Sequence, residues 1–68
     1  MRDINRLDIF YNEMKECHKK LLDWRFGQLL MNFTSWYYQK YKQDFFYVED
    51  NRLINSFKEF VNEMIGGK

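Results

Sequence analysis

Apolar side chains recur at helical spacing in three separate stretches of this chain. In the first, Asp3 to about Lys20, Ile4, Leu7, Tyr11, Met14, His18 and Leu21 follow one another at alternating steps of three and four, flanked by Phe10 and Cys17. At ~100° per residue they fill an arc of roughly 140°. Asp8, Asn12, Lys15, Glu16 and Lys19 fall largely outside it, so one face is expected inside and one in water.

The second stretch starts at Asp23, expected as the N-cap that accepts from the open N–H groups of the first turn, and runs to about Lys42. Its inner face reads Phe26, Leu29, Leu30, Phe33, Trp36 and Tyr37, and Lys40 and Lys42 suit the negative end of the helix dipole. The next segment, "DFFYV" from Asp44 to Val48, reads as a short extended aromatic connection. A third stretch begins at Asp50, expected as N-cap, and presents Leu53, Ile54, Phe57, Phe60, Val61, Met64 and Ile65 before Gly66 supplies a stop. Helices over about 3–20, 24–42 and 50–65 with short connections predict a single all-α domain over 1–68, a three-helix bundle in which helix 2 is central.

Helix 2 carries more than an inner face. Arg25, Gln28, Asn32, Ser35 and Gln39 form a narrow polar stripe, read either as a solvated face or as hydrogen-bonding contacts for a partner. On the remaining side Trp24, Gly27, Met31, Thr34 and Tyr38 widen the apolar or small arc to roughly 240°, more than two short helices cover. Gly27 has two explanations: it lets helix 1 or the chain entering from Leu22 come close, or it receives a helix of a second subunit.

Composition sharpens this picture. Sixty-eight residues make a small domain with no proline, no alanine and one cysteine, so no internal disulfide reinforces it. Aromatics are nonetheless 21% of the chain, and Trp36, Tyr37, Tyr38, Tyr41, Phe45, Phe46 and Tyr47 cluster too densely to all point inward. Tyrosine and tryptophan bury much area with few rotamers and keep a polar tip, which favours them at interfaces. The expected partner-binding set is therefore Arg25, Gln28, Met31, Asn32, Trp36, Tyr38, Tyr41, Phe45, Phe46 and Tyr47, facing a second copy in a homodimer or a target protein. Asp23, Gly27, Asp50 and Gly66 are assigned to capping and packing.

Other chemistries find less support. Cys17 and His18 are neighbours on a helix and diverge by ~100°, and no second cysteine or histidine completes a dyad or a zinc site. With no phosphate loop and no nucleophile elbow, neither an enzyme, a cofactor nor a metal is expected. Net charge is +1, so no global field selects nucleic acid. Arg25, Lys40 and Lys42 do interleave with Trp36, Tyr38 and Tyr41, which keeps a small nucleic-acid-binding regulator as the alternative. "MRDINRLD" alternates charged and apolar residues and no run of ~18 apolar residues occurs, so a cytoplasmic chain without membrane contact is expected.

Two motifs carry a resemblance. Asp23, Arg25, Gly27, Gln28, Leu29 and Asn32, then Asp44, Phe46, Tyr47, Glu49 and Asp50, fit a "PD-x-R-x-GQL-x-x-N" and a "D-x-FY-x-ED" pattern. In these the chain resembles small bacterial and phage proteins of the YihD-like group, over nearly its whole length. Leu22 stands where that pattern has proline, and His18 where it has tryptophan. The resemblance implies a small helical fold and a bacterial or phage origin. By analogy with compact phage proteins it implies a regulator or inhibitor that binds a host complex stoichiometrically.

Overall fold

A computed structural model describes residues 3–66 of the chain. Helix α1 spans Asn5–Lys19, α2 Phe26–Tyr41 and α3 Asp50–Gly66, with no strand among the described residues, so the protein is an all-α three-helix bundle. The organising helix is α3 rather than α2. Both α1 and α2 pack chiefly on α3 and touch each other little. Helix α3 can serve two neighbours because Ile54, Phe57, Phe60 and Val61, at steps of three, three and one, give it a broad buried face.

The centre of the core is Phe33, fully buried on α2. Its ring stacks on Phe57 of α3 with centroids 3.7 Å apart and planes 16° from parallel. Phe60, Trp36, Tyr37 and Phe45 surround it at centroid distances of 5.3 to 5.8 Å. Emptying such a site costs about 3–5 kcal/mol, a large part of what a domain of this size has. Leu29 and Tyr37, one turn to either side, complete the buried stripe of α2.

Helix α1 uses a different face from the expected one. Only Cys17 is buried, with Phe10, Met14 and Leu21 half-covered against the core, whereas Ile4, Leu7 and Tyr11 are exposed. The stripe is rotated by about 60° on a ~100° per residue projection, because α1 carries apolar residues on more than one side and α3 selects among them. Burial pushes the Cys17 thiol up from its ordinary pKa, with the Lys58 ammonium pulling the other way, so it is a packed thiol. Ion pairs Arg6–Asp50 and Lys58–Glu13 bridge α1 to α3 at the surface.

The helix ends correct two expectations, the Asp23 and Asp50 caps. Arg25, with extended backbone, is the N-cap of α2, and its N–H donates to Gln28 Oε1 at 2.9 Å; Asp23 lies upstream in the turn. That turn is pinned when His18 Nε2–H donates to the Trp24 carbonyl at 2.7 Å, and Trp24 folds inward onto Phe60 instead of extending the outer face. Asp50 is the first residue of α3 rather than its cap, since Arg52 and Leu53 donate to the Glu49 carbonyl; its carboxylate serves the pair with Arg6. Gly66 is the last described residue of α3 and still helical, so the expected stop lies outside the described residues.

The connection from α2 to α3 is a turn, not an extended segment. Phe46 N–H donates to Asp44 Oδ1 and Val48 N–H to the Phe45 carbonyl, at 3.1 Å each. This turns Phe45 and Val48 inward and leaves Phe46 and Tyr47 at the tip. Just before it, Lys42 closes α2 in the left-handed region, with φ 61°, its N–H donating to the Tyr38 carbonyl. A Cβ is disfavoured there. Lys42→Gly is expected to stabilise the fold by about 0.5–1 kcal/mol, read as a higher urea midpoint at unchanged m-value.

Candidate interaction surface

Helix α2 must turn Leu29, Phe33 and Tyr37 to the core, and this fixes what the flank about 110° further round shows. Leu30, Met31, Tyr38 and Tyr41 come out on one strip, 36%, 67%, 58% and 41% exposed, with Gly27 and Thr34 between them. The strip carries no charge. Lys40 is the only charged residue between Phe26 and Tyr41, and it is bound on the α3 side to Glu59 and Glu63. Exposed helix faces are ordinarily rich in charge, and its depletion is what marks the centre of an interface.

Toward the connection the strip gives way to a polar hollow lined by Tyr38, Tyr47 and Val48 together with Asp44, Glu49 and Arg52. Phe46 and Tyr47 at the turn's tip are 79% and 89% exposed, their rings edge-to-face at 4.8 Å. Two large rings held this far out by a hydrogen-bonded turn do nothing for the core.

Several expected contacts belong to the fold instead. Phe45 is half-buried against Phe33 and Tyr37, so much of its ring serves the core. Trp36 is half-buried between Phe33 and Phe60, and its Nε1–H donates to Glu63 Oε1 at 2.9 Å. Gln28 is exposed like Arg25 and Asn32, but its amide oxygen is engaged by the Arg25 N–H. Gly27 does not admit helix 1 or the entering chain: a Cβ there would meet nothing within 4 Å. Met31, Tyr38, Phe46 and Tyr47 remain open, and Tyr41 shows one ring edge while its hydroxyl donates to Glu59 Oε1 at 3.2 Å.

The edge of the strip is fastened by a small polar cluster that no spacing along the chain reveals. Lys40 lies 5.1 Å from the Trp36 ring centre and binds Glu59 and Glu63, joining the C-terminal half of α2 to α3. The Trp36 N–H, and after it Lys40, hold the Glu63 carboxyl below its usual pKa, while Glu59 and Glu63 raise Lys40 above its own. A carboxyl depressed in the folded state stabilises above its unfolded pKa and loses that contribution as pH falls through the folded value. A lysine raised in the folded state stabilises below its unfolded pKa and loses that contribution as pH rises through the folded value.

Among the described residues no three His, Cys, Asp or Glu side chains gather as metal ligands, no buried side-chain polar atom lacks a partner, and no helix is long and apolar enough to cross a membrane. Glu63→Gln keeps an acceptor for Trp36 but removes the charge. It is expected to lower the thermal midpoint slightly at neutral pH, to leave it near wild type at pH 3, and so to flatten the fall between pH 6 and 3, as followed by circular dichroism.

Compared with family models, with curated proteins and with solved structures, the chain matches none.

Proposed function

We propose that this protein is a non-enzymatic protein–protein interaction module that acts by stoichiometric binding. The observation that carries the reading is the uncharged strip of α2, with Met31 and Tyr38 well exposed and Phe46 and Tyr47 projecting beyond its end. An apolar surface of this kind has an unfavourable free energy in water that association relieves, and rigid aromatic rings concentrate binding energy in few residues. The Phe46–Tyr47 turn is the anchor for the target, with Arg25 and Asn32 as polar contacts nearer the start of α2. The resemblance to bacterial and phage proteins adds the setting: a regulator or inhibitor that occludes part of a host complex.

The test is co-purification from bacterial host lysate with tagged wild type and with Phe46→Ser/Tyr47→Ser. Both substituted side chains lie outside the core, so the thermal midpoint is expected to stay within a few degrees of wild type. A protein retained stoichiometrically by the wild type, resistant to nuclease and lost in the double variant, is the expected result. Capture that nuclease abolishes overturns the reading in favour of nucleic acid, and equal capture by both forms removes the turn as anchor.

A further inference from the structure

We infer that the groove between α1 and α2 is a docking site for an acidic amphipathic helix of a partner protein. The inference rests on the reading of this protein as an interaction module and adds a second contact face, with a partner of stated charge. Because α1 and α2 both lie on α3 and touch each other little, a hollow of about 470 Å³ opens between them. Its walls are Tyr11, Met14 and His18 of α1, Leu22 and Trp24 of the turn, and Phe26 of α2. Tyr11, Leu22 and Phe26 are 63%, 77% and 55% exposed. The turn that carries Leu22 is held in place by His18 on the Trp24 carbonyl and by the Trp24 ring on Phe60.

Charge selects the occupant. Lys15, Lys19 and Arg25 are the charged side chains that line this groove, and no carboxylate joins them. Glu13 binds Lys58 on α3, while Asp8 and Asp23 lie outside the lining. Glu16 holds Lys19 at 3.5 Å, so Lys19 is shared, but Lys15 and Arg25 make no ion pair among the described residues. The N-terminal end of α2 opens at Arg25 and Phe26 with no acidic residue in its first turn, which adds a partial charge of the same sign. The hollow between α1 and α3 is the opposite case, lined by Glu13, Glu49 and Asp50 with Arg6 as its one cation. A net charge of +1 thus conceals two grooves of opposite sign.

From Tyr11 to Lys19 the groove follows α1 for about 12 Å, or roughly two helical turns. An amphipathic helix fills such a groove with apolar residues at i, i+3, i+4 and i+7. Acidic residues beside them meet Lys15 on α1 and Arg25 at the start of α2. Tyr11, Leu22 and Phe26 together expose on the order of 400 Å², the size of a short, reversible helix contact and below what a permanent subunit needs. A single strand of nucleic acid is served less well. Met14 and Leu22 have no ring on which a base stacks, and the shared Lys19 leaves two cations for phosphates.

The test is an amide NMR titration of the full chain with a helical peptide of ~16 residues built from Ala, Leu and Glu, its leucines at i, i+3, i+4 and i+7. The same peptide with Lys for every Glu, and single-stranded oligothymidylate, are the other arms. Expected are shifts at Tyr11, Lys15, His18, Leu22 and Phe26 with a Kd on the order of 100 µM at low salt, at least about tenfold weaker for the lysine peptide. Lys15→Glu/Lys19→Glu should reverse that preference, and Leu22→Ser should weaken the acidic peptide, both at unchanged helical circular dichroism. No shift with the acidic peptide up to about 1 mM, equal binding of the two peptides by the wild type, or shifts centred on Ile9 and Asn55 overturns the inference. Tighter binding of the oligonucleotide overturns it in favour of nucleic acid. A groove that takes nothing, beside a target lost in Phe46→Ser/Tyr47→Ser, sinks this inference alone; a groove that takes the acidic helix, beside no such target, sinks only the turn as anchor.

Discussion

The fold turns on one stacking contact, the Phe33 ring against Phe57, and on the shell of four further rings that it recruits. A chain of this length without a disulfide has to extract most of its stability from a few large side chains. Putting Phe33 at that centre dictates the rotation of α2 about its axis. Leu29 and Tyr37 accompany it inward one turn to either side, and the flank about 110° further round is committed to solvent together with Met31 and Tyr38. The exposed strip is thus the other side of the same constraint that makes the core.

The aromatic surplus then divides in two. Trp24, Trp36, Tyr37 and Phe45 are drawn into the ring cluster, so a good part of the excess is a bulky core that works without alanine or small-residue packing. Tyr38, Phe46 and Tyr47 are not, and the backbone shows why. Tyr38 is one position beyond Tyr37, about 100° further round the helix. Phe46 and Tyr47 sit between two inward residues at the tip of a turn held by Asp44. Rings placed this way contribute little to the free energy of folding, since they stay in water.

Three helices and their single domain are legible from the chain because amphipathic spacing sets one hydrophobic face per helix over many turns. The rotation of α1 is not. Ile4, Leu7 and Tyr11 compete with Phe10, Met14 and Cys17 on periodicity alone, and only the shape of α3 decides between them. The cap of α2 falls two residues beyond Asp23: aspartate is a good N-cap in general, but here the Gln28 amide performs that task for Arg25. The outer strip is visible in the chain as an apolar arc too wide for the bundle, and Met31 and Tyr38 lie in it as expected. Trp36 and Phe45 escape such a reading because their fates depend on Glu63 and on the inward twist of a turn, both set by tertiary structure.

What ties core and surface together is the Phe33–Phe57 stack, which sets the rotation of α2. The most direct measurement is urea unfolding of Phe33→Ala beside Met31→Ala. The expected costs are about 3–5 kcal/mol for Phe33→Ala and under about 1 kcal/mol for Met31→Ala. Equal costs for the two variants, or a cost under about 1 kcal/mol for Phe33→Ala, would contradict it.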